Sequence, residues 1–474
     1  MSWAVVQPVV LATDALIYVL LLAALGYGLV ARRHEHLRAP WRRVVRSRTA
    51  MATLVVLTVY LAVGLLDSVH FHPPLAAAQQ RGETRYSSEV LSLLDVVLGP
   101  LREHKEKTYS APLATHLYAK ETIEGPDGST VRDYPRLKFG GAHLADPQRD
   151  FAGDVLRLAA AGLAGAAVLW AALVALLALR LAVRLGQPAR STLSALLRGR
   201  TELPWHAALY TLAVVLALAG MAASLAGHYH VLGTDKVGQD VLYQALKSVR
   251  TGLVIGTLTT LVMLPAAILL GVAAGYFRGS VDDVIQYLYT TLNSIPGVLL
   301  IAAAILTMQV YIANHEQDFA SVTERADLRL LFLCLILGVT SWTSLCRLLR
   351  GETLKLREVD YVQAAHAFGV RHHTVIRRHV LPNVLHIILI TVVLDFSGLV
   401  LAEAVLSYVN IGVDPTTESW GNMINGARLE LAREPVVWWS LAAALGFMFV
   451  LVLAANLFAD VVRDALDPRL GSGR

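Results

Sequence analysis

Charge is scarce in this chain. Only 16% of its 474 residues are Asp, Glu, Lys or Arg, against about 25% in a soluble globular protein. With 55% hydrophobic residues and a mean hydropathy of +0.54, that shortage excludes an ordinary soluble enzyme and points to a chain that lives in lipid. Cysteine is nearly absent. Cys334 and Cys346 are the only two, they fall in one predicted helix, and their spacing implies roughly 18 Å of rise. A disulfide needs Cα atoms within about 7 Å, so a disulfide framework is excluded and both read as buried apolar thiols. No Gly-Lys dipeptide occurs, which excludes a G-x-x-x-x-G-K-[ST] phosphate loop and an ATPase within the chain. No H-E-x-x-H occurs either. His34/His36, His70/His72, His228/His230 and His372/His373 are paired but have no cysteine nearby. A structural site generally needs four ligands, so no metal site is expected. The net charge is +5, yet the basic residues cluster between apolar runs. Membrane topology accounts for them, and no nucleic-acid surface is implied.

What is present is a series of apolar runs of spanning length. Nine are predicted, near 9–31, 50–67, 154–180, 206–227, 249–275, 284–310, 328–346, 384–409 and 436–459. The N-terminus lacks a basic n-region, and the first run meets Arg32 and Arg33, so an uncleaved first helix with its N-terminus outside is expected. Nine crossings then put the C-terminus inside. The stretch 32–48 carries seven arginines, and the loops at 181–205 and 347–378 are also basic, whereas 311–327 and 411–435 are net acidic. That alternation obeys the positive-inside rule. Residues 68–152 form one large extramembrane segment, either a small folded lobe or a partly ordered loop. A possible repeat pairs Arg46–Thr49 and His70-Phe71-His72 with Arg198–Thr201 and His228-Tyr229-His230. The spacings differ, so chance similarity is the preferred account.

The basic loop after the seventh run holds the most informative residues. Lys355 to Phe368 is long enough for about four helical turns. Ala364 and Ala365 would let another surface approach closely. Gly369 can end that helix in a left-handed conformation. A second basic stretch runs from Arg371 to His379, and Pro382 suits the first turn of the next span. The expected form is a short helix, a turn and another short helix between two spanning helices.

This stretch resembles the EAA loop of permeases in ATP-binding cassette importers. Gln363-Ala364-Ala365, Gly369, His379 and Leu381-Pro382 keep that loop's spacing, with Gln363 in place of its Glu and His379 in its hydrophobic slot. Leu232-Gly-Thr-Asp-Lys-Val-Gly-Gln-Asp-Val-Leu242 resembles the segment after the first core helix of dipeptide and oligopeptide permeases. Leu406–Val413, Ser419–Met423 and Asp464–Leu470 match the same peptide/nickel branch, so the similarity covers about 227–470. Asp133-Tyr-Pro, Gly140-Gly and Asp146-Pro resemble an enlarged periplasmic segment in permeases of the microcin C uptake type.

The resemblance implies an all-α polytopic membrane protein with the type I importer transmembrane fold, about three extra N-terminal helices and a periplasmic insert. Its partition would be 1–67 (extra helices), 68–152 (insert), 153–205 (extra helix and cytoplasmic loop) and 206–474 (permease core). It implies a bacterial inner-membrane subunit that forms a pathway for di- or oligopeptides. Its partners would be a second homologous permease, two ATPase subunits that bind ATP and Mg, a solute-binding protein and the lipid bilayer. No cofactor is implied in this chain. Asp360, Tyr361, Gln363, Ala364, Ala365, Gly369, Arg378, Leu381 and Pro382 would couple to the ATPases. Gly233, Thr234, Asp235, Gly238 and Asp240 would face the binding protein.

Asp395 and Glu403 lie in the eighth run, about 80° apart around a helix. Intramembrane carboxylates face a bundle interior or a water cavity, so they are candidates for the pathway, with helix packing the alternative. Pro265 and Pro296 are expected to kink their helices. Nickel or another small solute is the alternative substrate class. A membrane sensor, a scaffold, or an enzyme centred on 68–152 are minor alternatives.

Overall fold

The computed structural model describes residues 6–33, 35–74, 86–124, 130–315, 319 and 321–466. Strand β1 (Gln7–Val9) leads into α1 (Ala12–Arg33), α2 (Glu35–Arg46) and α3 (Arg48–Asp67). The insert follows, with β2 (His70–His72), β3 (Leu91–Ser92), α4 (Leu93–Val97), α5 (Gly99–Glu103), β4 (Glu121–Glu124) and β5 (Thr130–Asp133). Then come α6 (Pro147–Leu185), α7 (Ala189–Leu197), α8 (Trp205–Ala226), α9 (Val241–Phe277), α10 (Gly279–Ser294), α11 (Gly297–Asn314) and α12 (Val322–Arg357). The chain ends through α13 (Asp360–Ala367), α14 (His372–Val375), α15 (Leu381–Tyr408), α16 (Trp420–Glu430) and α17 (Trp439–Leu466).

Among the described residues nine helices are long and apolar enough to cross a membrane, and each falls on one predicted run. Local capping chemistry moves their ends. Asp146 accepts the Gln148 N–H at 3.0 Å, Pro147 opens α6, and Gly186 closes it at φ +62°. The span predicted from 249 begins at Val241, because Asp240 Oδ1 accepts the N–H of Leu242 at 2.8 Å and of Tyr243 at 3.2 Å. One predicted helix is two. The run 284–310 breaks at Ile295, which is extended (φ −92°, ψ 130°) before Pro296. The proline ring bars the α region to the residue before it, so the expected kink is a full break, and α11 alone is the span. Pro265, by contrast, lies inside an unbroken α9.

The chain forms two compact units. One comprises Met1–Val9, Arg42–Thr251 and Glu418–Phe458. The other comprises Val10–Trp41, Gly252–Thr417 and Ala459–Arg474. In the first, α6 crosses α8 where Gly162 and Gly220 leave no room for a Cβ, the small-residue contact that membrane helices use. Ser224 Oγ donates to the Leu158 carbonyl at 2.9 Å and Trp170 Nε1 to the Leu209 carbonyl at 2.8 Å. The same unit contains the insert, whose described part is a folded lobe. A three-stranded antiparallel sheet, β1-β2-β3, pairs Pro8 with Phe71 and Phe71 with Leu91, and β4-β5 form a hairpin. Ser92 and Asp95 make a capping box at α4. The two His-x-His triplets of the possible repeat differ: His70–His72 is a strand, and His228–His230 is a turn.

In the second unit, α1 meets α12 through Thr13, whose N–H and hydroxyl both bond to the Asp327 carboxylate. Helix α9 crosses α12 through Gly271 and Gly275. A Cβ at those positions would lie 2.7 Å from the Cys346 carbonyl oxygen and 2.6 Å from that of Arg350. The G-x-x-x-G spacing puts both on one face and lets the two backbones touch. Cys334 and Cys346 are buried free thiols of α12.

Candidate functional site: an elbow between two spans

The expected helix from Lys355 starts later. Helix α12 carries through Arg357, Val359 is extended (φ −78°, ψ 138°), and α13 begins at Asp360. Its far end follows the predicted chemistry. Gly369 sits at φ +73°, where an L side chain is strained. The Gly369 N–H donates to the His366 carbonyl at 2.9 Å and the Val370 N–H to the Ala365 carbonyl at 3.0 Å. That pair of bonds is a Schellman closure. No atom lies within 4 Å of a Cβ built on Gly369, so conformation, not crowding, demands glycine here.

The return arm is not a separate helix. α14 runs through a π-turn, Ile376–Val380, into α15. Pro382 has no N–H, and its ring would clash with the carbonyl four residues back in a regular helix. The wider turn accommodates it, and the Leu381 N–H reaches back to the Ile376 carbonyl. Both arms rest on one apolar cluster: Val362, Val375 and Val380 are fully buried with Val272 and Tyr276.

The opposite face of α13 is open. Asp360, Tyr361, Gln363, Ala364 and Phe368 are exposed, and Phe368 is 87% accessible. Ala365 is half-buried against the valine cluster, so of the alanine pair only Ala364 faces out. Gln363 Nε2 reaches back to the carbonyl and carboxylate of Glu358, both at 3.3 Å. Asn383 Nδ2 donates to the Tyr361 hydroxyl at 3.1 Å, which holds the two ends of the elbow together. Arg378 and Pro382 are exposed, and Leu381 is half-buried. Phe368 escaped the sequence reading. Its position in a gap of the motif gave no signal.

The Leu232–Leu242 segment is built differently from the expectation. Thr234 and Asp240 are fully buried, and Gly233 and Gly238, both at φ +75°, lie against insert backbone at Ser110 and Glu106. The Ser110 N–H donates to Thr234 Oγ1 at 2.7 Å and the Thr234 N–H to the Ser110 carbonyl at 3.0 Å. Asp235 folds the turn by accepting from the N–H of Val237 at 2.9 Å and of Gln239 at 2.8 Å. Only the tip, Lys236 and Val237, is open.

Beneath this turn, His230 Nδ1 meets Asp240 Oδ2 at 2.8 Å and His230 Nε2 approaches Glu106 Oε1 at 3.5 Å. Glu106 also accepts backbone N–H bonds from Lys138, Phe139 and Gly140. Burial alone would raise the Glu106 carboxyl, but His230 and these backbone N–H groups together outweigh it and hold it at about 2. Burial would lower the His230 imidazole, and its two carboxylate partners carry it instead to about 9. Close by, Lys247 pairs with Asp67 at 2.7 Å and Asp95 at 3.0 Å, while the Tyr243 hydroxyl donates to Asp95 at 2.7 Å. Starting the span at 249 hid Lys247 from the sequence reading.

Asp395 and Glu403 do not share one environment. Asp395 is half-buried, whereas Glu403 is buried and accepts from the Ser407 hydroxyl one turn on, at 2.7 Å. His34, the His36 side chain and residues 467–470 of the last motif lie outside the described residues.

Nine apolar helices among the described residues, with an arginine-flanked elbow between two of them, define a multi-pass membrane protein. Residues 267–472 match the family described as binding-protein-dependent transport system inner membrane component. The glutathione transport system permease protein of Pectobacterium atrosepticum is 31% identical over 51% of this chain and 74% of its own length. The oligopeptide transport system permease protein of Mycobacterium bovis is 31% identical over 51% of this chain and 77% of its own. That of Escherichia coli is 30% identical over 51% and 73%. An inward-facing structure of the MetNI methionine ABC transporter aligns at 17% identity over 48% of this chain and 96% of that one, with a TM-score of 0.35. The chain belongs to this family: it is the permease subunit of an ABC importer, and ATP hydrolysis lies with separate subunits.

Proposed function

We propose that this permease carries di- or oligopeptides across the bacterial inner membrane and takes its drive through the Asp360–Gly369 elbow. The observation that carries the proposal is the elbow itself, a Schellman-closed helix with one face seated on valines and the other open. It is joined to relatives named for peptide and glutathione transport. Each of two partner ATPases, with its ATP and Mg, would grip one such elbow, this one and that of a second homologous permease. The N-terminus and insert would be outside and the C-terminus inside, as the arginine pattern supports. A solute-binding protein would dock outside. In this subunit Gly233, Thr234, Asp235, Gly238 and Asp240 would act beneath the docking face, shaping the turn that presents Lys236 and Val237. Asp395 would line the pathway, and Glu403 would fix helix packing through Ser407.

The test is purification of the whole complex with its delivery protein, identification of the bound solute by mass spectrometry, and ATP-dependent uptake of that solute into vesicles. A bound peptide taken up at the expense of ATP supports the proposal. A nickel ion or another non-peptide solute, or a chain that copurifies with no ATPase, overturns it.

A further inference from the structure

The elbow is fastened to a helix that is not one of its own flanks. The ring of Tyr276, one residue before the end of α9, is 3% exposed. Its hydroxyl lies 3.1 Å from His366 Nε2 and 3.1 Å from His372 Nδ1. His366 stands three residues before Gly369 and His372 three after it, so one hydroxyl spans both arms of the turn. A phenol can serve two imidazoles, donating its proton to one ring nitrogen and accepting an N–H from the other. The neighbouring contacts converge on the same point. Arg357 donates to the Tyr276 carbonyl at 2.9 Å, Arg278 pairs with Glu358 at 2.5 Å, and the Phe277 ring meets His372 edge-on at 5.9 Å. The Arg278 pair is half-exposed and contributes little. The buried tyrosine is the firm connection. One and five residues before it, Gly275 and Gly271 press α9 against α12.

We propose that Tyr276 is a positioning residue of the coupling step, fastening both arms of the elbow to α9 so that a displacement of the elbow is delivered to α9 as well as to α12 and α15. This rests on the elbow being where the ATPase acts. An elbow held only by its flanks would hinge at Val359 and Gly369. With Tyr276 in place, the arms and the end of α9 move as one body.

The test uses the full complex and compares hydrogen exchange without nucleotide and with ATP, Mg and vanadate, at residues 360–380 and at residues 272–278. In the unmodified complex both segments should respond. In Tyr276→Phe, which keeps the ring and its packing, the response at 360–380 should persist. That at 272–278 should fall to less than about one third, the effect of losing a hydrogen bond of modest net strength. His366→Ala combined with His372→Ala leaves α9 untouched and should give the same split, which covers the case of a Tyr276 variant that fails to fold. An undiminished response at 272–278 in these variants, or none there in the unmodified complex, overturns the inference while leaving the coupling elbow standing. Silence at 360–380 in the unmodified complex removes the coupling elbow and this inference together.

Discussion

Gly369 shows how much one residue's backbone decides. Its φ of +73° costs an L-residue of ordinary shape about 1–2 kcal/mol, and nothing nearby obstructs a side chain. Gly369→Val should therefore insert and fold, yet lose most ATP-driven uptake through a distorted Schellman closure. Gly369→Asn, which tolerates the left-handed region, should retain most of it. Uptake assays on the two variants at equal membrane abundance check this. Glu106 is the opposite case, a residue with a crowded set of partners. Glu106→Ala strands three backbone N–H groups and one face of His230, and should cost about 3–5 kcal/mol, as breaking a buried pair does. Thermal unfolding followed by an insert-specific probe would measure it. The same pair sets a pH window. His230, raised from 6.5 to about 9, contributes stability that is full below 6.5 and lost as pH climbs through 9. Glu106, lowered from 4.5 to about 2, contributes stability that is full above 4.5 and lost as pH falls through about 2. The insert should be most heat-resistant between pH 4.5 and 6.5, with the alkaline decline flattened in His230→Gln. A decline of equal steepness in that variant would count against the assignment. Gly369 could be recognised from spacing alone, since a glycine after an alanine-rich turn has few other uses. Glu106 could not, because its partners lie from about thirty residues (Lys138, Phe139 and Gly140) to more than a hundred (His230) downstream, and no local pattern announces them.

Among the elements, hydropathy located every span found in the described residues, and the errors sit where polar caps or prolines overrule it. Asp240 lengthened α9 at its start, and Pro296 split one predicted helix into α10 and α11. The arginine-rich stretch expected as a loop holds helix α2, whose Val44 is buried while Arg42 and Arg43 stay exposed. Its apolar residues at three- and four-residue spacing were there to be read but were obscured by the charge. The Gly271/Gly275 contact was legible as G-x-x-x-G, though not which helix it would meet. Gly275→Leu should wedge α9 from α12 and lower detergent-solubilised stability by about 1–3 kcal/mol, the usual cost of overpacking. An equal melting temperature for this variant and the parent would show that the crossing tolerates separation.

For the molecule as a whole, the insert is the part that sequence described least. Its charges alternate without a period, so neither its sheet nor its attachment could be foreseen. Ser110 and Glu106 bond into the Leu232–Leu242 turn, while the Tyr109 hydroxyl reaches Glu430 at 3.2 Å and that of Tyr118 the Val436 carbonyl at 3.1 Å. Removing 75–148 should consequently leave the elbow and ATPase binding intact, yet expose residues 228–242 to protease, which cleavage mapping of the truncated chain would reveal. Retained resistance there would mean the turn stands without its cover.

The attachments of the insert also count crossings. Strand β1 is hydrogen-bonded to β2, so Gln7–Val9 and His70–His72 share one side of the bilayer, and the spanning helices between them must be even in number. They are two. Leu113 bonds to His230, and again two spans lie between the insert and that turn; Tyr118 bonds to Val436, with four spans from the turn to there. Three spans separate Lys236 from Ala364, so parity predicts, independently of any arginine, that a thiol reagent that cannot cross membranes should modify a cysteine at Lys236 and one at Ala364 from opposite sides.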